Sequence, residues 1–204
     1  MAAEDDLALV GQLRDTYAQH AWRRDVAAEA PDDRGVPQPM QVGEVDEEGW
    51  VEWRVLPSTL KYVDVEAVEA EFGIEFPPIF RVYLISRFHL FHEVTSRRYD
   101  QQLFIPATPA VNPLGQLKAL MTAWRPLIDA EFIPFADWGD GWGPICFDSA
   151  NRAPDADCPI VWMDHEQLAP LGKEKCRQRE HISPLAQSLY ESSRELLVDV
   201  FGRN

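Results

Sequence analysis

Apolar residues along this chain recur first at helical spacing, then in short alternating runs, then at helical spacing again. In EDDLALVGQLRDTYAQHAWRRD, residues 4–25, Val10, Leu13, Tyr17 and Ala21 fall on one face. Acids open that segment and Arg23 and Arg24 close it, the polarity a helix dipole favours. Periodicity is lost over 25–39, where Pro31, Pro37 and Pro39 mix with Asp32, Asp33 and Gly35, so a linker is predicted. Residues 40–55, MQVGEVDEEGWVEWRV, predict a hairpin turning at Asp46–Gly49, with Val51, Trp53 and Val55 on one side and Glu52 and Arg54 on the other.

A different texture begins at Pro57. VDVEAVEAEFGIEF predicts a short helix that buries Val65, Val68 and Phe72, stops at Gly73 and folds Ile74 back onto Val68. Pro77–Pro78 opens a second helix, PIFRVYLISRF, whose apolar residues nearly encircle it, as in a buried helix. A strand is predicted at 102–105. Asn112–Pro113 then supplies an N-cap and first-turn proline for a third helix, striped by Leu114, Leu117, Met121 and Trp124 and ended or kinked at Pro126. Three strand-like runs follow, FIPFADW, PICFD and PIVWMD, and Ser183–Pro184 opens a C-terminal helix carrying Leu185, Leu189, Leu196 and Val200 on one face. The strand connections are too short to hold crossover helices. The expected class is α+β: a central, largely antiparallel sheet flanked by helices over 56–204, with a helix, linker and hairpin extension over 1–55.

Charge narrows the partners. The 204 residues carry 34 acidic and 19 basic side chains, a formal net charge of −15. Such a field repels nucleic acid and anionic membranes and favours a basic protein partner. Cys146, Cys158 and Cys176 form no CxxC pair, which fits a reducing compartment. MAAEDDLALVGQL has acids where a signal peptide needs a basic segment, and no apolar run is long enough for a membrane span, so a cytoplasmic location is expected.

Candidate chemistry concentrates in FIPFADWGDGWGPICFDS, residues 132–149. Asp137, Asp140 and Asp148 lack the alternation and the closing Glu of a calcium loop. The simpler reading is two strands joined by a bend at Gly139, Gly141 and Gly143. His89 and His92 lie three apart beside Glu93 but without an HExxH helix, and are read as ordinary loop histidines. Asp164, His165 and Glu166 are read as the close of a strand, and Cys146 as an apolar filler between Ile145 and Phe147. No nucleophile–base–orienter set assembles, so no enzyme activity, metal or cofactor is expected, and a hydrolase using the acidic turn is the weaker alternative. Trp53, Trp124 and Trp162 fit core positions, whereas Trp138 and Trp142 divide between packing and interface.

Three blocks, in order, resemble one family. They are the Gly73–Ile74 joint with EFPPIFRVYL at 75–84, then FIPFADWGDGWGPICFDS, then CPIVWMDHE at 158–166. Together they are similar to the signature of the SUKH superfamily, which includes the fungal Smi/Knr cell-wall assembly regulators. The resemblance covers roughly residues 56–201 and leaves 1–55 outside it. Where that family has an Asn-Gly loop, this chain has Arg87–Phe88–His89–Leu90. The resemblance implies an α+β fold and, for bacterial members, an immunity protein that neutralises a cognate toxin by binding it. The expected interface residues are Asp137, Trp138, Asp140, Trp142, Asp148, Asp155, Asp157 and Asp164. The alternative is a Smi/Knr-like interaction scaffold, and self-association as a homodimer is left open.

Overall fold

The computed structural model describes residues 2–19, 26–29, 35–139 and 141–202. Helix α1, Ala2–Ala18, is followed by strands β1, Val26–Ala27, β2, Gln41–Val42, and β3, Trp50–Trp53, which form a small sheet in the order β1-β3-β2. The predicted hairpin is present: Gln41 pairs with Trp53, and Asp46 accepts from the Glu48 and Trp50 amides at 3.0 and 2.8 Å. Arg23, Arg24 and, in the expected linker, residues 25 and 30–34 lie outside the described residues.

Strand β4, Leu56–Pro57, leads into α2, Tyr62–Phe72, which buries Val65, Val68 and Phe72 as its spacing requires. Gly73 stops it in the left-handed region (φ 69°), the usual role of glycine there, and the Ile74 amide turns back to the Glu69 carbonyl. The buried Glu69 carboxylate then braces the joint, accepting from the Phe76 amide at 2.6 Å and from Arg81 Nε at 2.8 Å. Helix α3, Pro78–Ser86, is buried on nearly every side and runs directly into β5, Arg87–Phe88, which pairs with β4.

The remaining strands build one antiparallel sheet. They are β6, Glu93–Ser96, β7, Gln101–Phe104, β8, Phe132–Trp138, β9, Pro144–Asp148, β10, Ile160–Trp162, and β11, Gln187–Tyr190, with spatial order β11-β10-β9-β8-β7-β6. Between β7 and β8 lie α4, Gly115–Ala123, and α5, Arg125–Asp129; between β10 and β11 lie the short helices α6, His165–Leu168, α7, Gly172–Cys176, and α8, Arg179–Ile182. Helix α9, Ser193–Phe201, ends the described chain. No helix among the described residues is long and apolar enough to cross a membrane.

The sheet curls until its two edges meet. Ser96 Oγ on β6 lies 2.8 Å from Tyr190 Oη on β11, and both bind the Asp199 carboxylate of α9. Arg98 and Tyr99, in the β6–β7 turn, reach the Leu189 carbonyl of β11. Closing an edge in this way removes a template for unwanted strand pairing. Inside the curl sits the larger core, where Phe135 and Phe147 stack at 3.9 Å beneath Phe80 of α3. The outer face carries a smaller core of Phe132, Cys146, Val161, Met163 and Leu168, roofed by α5 to α8. Both faces of β9 are thus covered, and all of its residues are buried.

Three expectations are corrected. Ser183–Pro184 opens a single 3₁₀ turn, and α9 starts only at Ser193, where Ser192 Oγ accepts from the Glu195 amide. Between them Leu189 is drawn into β11, because β10 offers an unpaired edge and Leu189 can fill the core from a strand as well as from a helix. Asn112 does not cap α4: it sits at φ 50° in a turn, its carbonyl accepting from the Gly115 amide. His89 is not an ordinary loop histidine: it is fully buried and bridges to Thr108, whereas His92 is exposed.

Arg14 explains the burial of His89. This α1 arginine is itself fully buried and donates to the Tyr83 and Arg87 carbonyls at 2.9 and 3.1 Å and to Ser86 Oγ at 3.2 Å. The Tyr83 carbonyl is one of the free C-terminal carbonyls of α3, an end where a cation is favoured. Its guanidinium lies 3.7 Å over the Tyr83 ring and contacts His89 Nε2. Burial first, and Arg14 second, hold His89 well below the ordinary histidine range. Val10, Val51 and Trp53 enter the same larger core, so α1 and β3 help complete it.

Candidate interaction surface

The expected interface residues separate to the two ends of β9. At its start, the bend between β8 and β9 gathers Asp137, Trp138, Trp142 and Asp164. At its finish lie Asp148, Asp155 and Asp157, about 13 Å away along a strand rising ~3.3 Å per residue. Asp140 lies outside the described residues.

Backbone contacts tie Trp138, Trp142 and Gly143 to one another and to His165. The Trp138 amide donates to the Gly143 carbonyl at 2.9 Å, the Trp142 amide to the Trp138 carbonyl at 3.1 Å, and the His165 amide to the Trp142 carbonyl at 3.0 Å. Gly143 sits at φ 135°, and a Cβ there would lie 2.0 Å from the Met163 carbonyl oxygen. Only glycine lets these strands approach so closely. The two tryptophans then part company. Trp138 packs between Tyr99 and Trp162, at 5.4 and 5.6 Å, and plugs the end of the curled sheet. Trp142 is 58% exposed.

The carboxylates divide likewise. Asp137 is half-buried, and its pKa is pushed up to about 6 by desolvation, with the Trp124 indole opposing the shift. Asp164 caps α6, accepting from the Glu166 amide at 2.8 Å, so the expected strand end is a helix start. Asp148 is buried against Arg179 (2.6 Å) and Asn151 (2.8 Å). Asp157 is buried beneath α9 and accepts from the Cys158 and Ser193 amides at 2.8 and 3.1 Å. These two aspartates are structural. Asp155 is exposed and lines a cleft of about 670 Å³ with Asp5, Asp6, Arg81 and Arg194. Arg194 is already paired with Asp6, and Arg81 with Glu69 and Glu75.

Chemically, the bend offers an exposed indole beside carboxyl groups on a fixed scaffold. Among the described residues, no three His, Cys, Asp or Glu side chains converge as a metal site would need. Cys146 is fully buried, and burial followed by the charges of Asp137 and Asp148 pushes its thiol well up, the opposite of an activated nucleophile. Nothing in the sequence marks Arg14 or Glu69, or separates buried His89 from an ordinary loop histidine, since a buried polar side chain looks the same in the sequence as an exposed one. No family model matches this chain, and no curated protein matches it either.

Proposed function

We propose that this protein is an immunity protein that neutralises a cognate, basic toxin by stoichiometric binding, and that Trp142 on the β8–β9 bend is the centre of the contact. The single observation that carries this reading is an indole 58% exposed on a backbone held by hydrogen bonds on both sides. Tryptophan is enriched at binding hot spots, and an exposed indole whose backbone is already held can anchor a partner at little cost in ordering. The net charge of −15 suits a toxin whose site must be basic to hold phosphates. The three sequence blocks that resemble the SUKH superfamily support the same reading.

The test is co-expression in a bacterial host with the product of the gene adjoining this one. Restored growth, a 1:1 complex and loss of both with Trp142→Ala are expected. Association should slow as salt rises, because steering by charge is screened. No rescue and no complex would overturn the proposal. A second reading, a scaffold with several partners, is favoured by the separate cleft at the far end of β9. Binding that survives Trp142→Ala but is lost with Asp155→Arg would select it.

A further inference from the structure

We propose that the outer face of the sheet carries a binding pocket for a small organic acid, its ring or short branched chain seated between α5 and the α6–α7 turn and its carboxylate facing Lys173 and His165. The pocket encloses about 340 Å³, at the lower end of the range for small-molecule sites and suited to one or two rings. Trp124, Pro126 and Leu127 form one wall; Leu168, Ala169 and Cys176 form the other. Leu127 and Leu168 also belong to the smaller core, so the floor of the pocket is continuous with packed protein.

The walls are held apart by covalent and ionic geometry. Gly172, at φ 67°, turns the chain between α6 and α7. Arg177 then pairs with Asp129 at the end of α5 (2.8 Å), and Arg179 pairs with buried Asp148 of β9 (2.6 Å). Both ties follow α7 and fix its C-terminal end to α5 and to the sheet, beside the open gap.

Charge selects the ligand. Residues 172–181, GKEKCRQREH, hold Lys173, Lys175, Arg177 and Arg179 against Glu174 and Glu180, a basic stretch in a chain of net charge −15. Arg177 and Arg179 are neutralised by their aspartates, but Lys173 makes no ion pair among the described residues, and both it and His165 stand at the pocket rim. An apolar slot with an unpaired ammonium at its mouth fits an apolar carboxylate and disfavours a cation. The cleft near α1 differs, since its arginines are already paired. Cys176 is not a reaction centre here: burial pushes its thiol up, and Sγ faces the Leu168 carbonyl at 3.8 Å. This site is independent of the toxin-binding reading.

The full-length protein should be titrated with 1-naphthoate, following the Trp124 indole N–H by NMR and the heat of binding by calorimetry. Saturable binding below about 1 mM is expected, a modest requirement for a ligand of this size. The neutral analogue 1-naphthamide and the surface variant Lys173→Glu should each bind about fivefold more weakly or worse, the scale of one exposed ion pair. Ala123→Phe, which fills the pocket from the exposed end of α4, should abolish binding while leaving Tm unchanged. Equal affinity for acid and amide, indifference to Lys173→Glu, shifts at other indoles in place of Trp124, or no saturation would each overturn the proposal.

Discussion

The inner and outer faces of the curled sheet are built from neighbouring residues of the same strands, yet they are closed by different physics. Phe147 points into the larger core and stacks on Phe135, while Cys146, one residue earlier, points into the smaller one. The inner face is sealed by the long helices α1, α3 and α9 and by a fully buried arginine. The outer face is roofed by one-turn helices that hold on through Arg177 and Arg179 and leave a pocket between them. Burial of large side chains leaves no room inside. Short helices cannot bury a wide apolar stripe, so polar ties must do the work and space remains.

The sharpest way to break this contrast is to truncate both faces of β9. Phe147→Ala should cost about 4 kcal/mol, because a large buried ring leaves a cavity. Cys146→Ala should cost about 1 kcal/mol or less, since only a small side chain is lost from a thinner core. Equal costs, measured by urea denaturation, would show that the two cores are energetically alike. Next in size, Arg179→Ala should lose about 2 kcal/mol: it leaves Asp148 without its cation, although Arg179 is itself only partly buried.

Two titrating groups sharpen the comparison with opposite signs. His89 sits on the inner face with its pKa depressed, so the unfolded chain binds a proton that the native protein refuses. Its contribution is complete above the ordinary value near 6.5 and is lost as pH falls below it. Asp137 has its pKa raised to about 6, so the native state holds a proton longer than the unfolded chain does. Its contribution is present below pH 3.8 and lost as pH rises through about 6. His89→Gln should therefore flatten the acid limb of a stability–pH curve. Asp137→Asn should raise stability at pH 8 by about 1 kcal/mol, discounted for partial exposure, and leave pH 3.5 unchanged. Ser192→Ala should likewise cost about 1 kcal/mol through loss of the α9 cap, read as a Tm decrease.

Much of the architecture is legible where local pattern and tertiary need agree. Val65, Val68 and Phe72 announce α2, Gly73 its end, and the glycines after Trp138 the bend of a hairpin. Legibility fails where one pattern serves two structures. Leu189 satisfies a helical stripe from Leu185 to Leu196, but the open edge of β10 claims it for a strand. For the proposed interaction surface, the exposed Trp142 and the packed Trp138 are indistinguishable in sequence, and buried Asp148 and Asp157 look like exposed Asp155.

What the sequence by itself determined is the α+β class, the helix and strand periods over most of the chain and the acidic field, because those follow from spacing and composition. Only the tertiary structure decided the curl that joins β6 to β11, the burial of Arg14 against His89, and which tryptophan faces water. Each of these depends on residues far apart along the chain meeting in space. No local period encodes such a meeting, since it is selected by the packing of whole elements against one another.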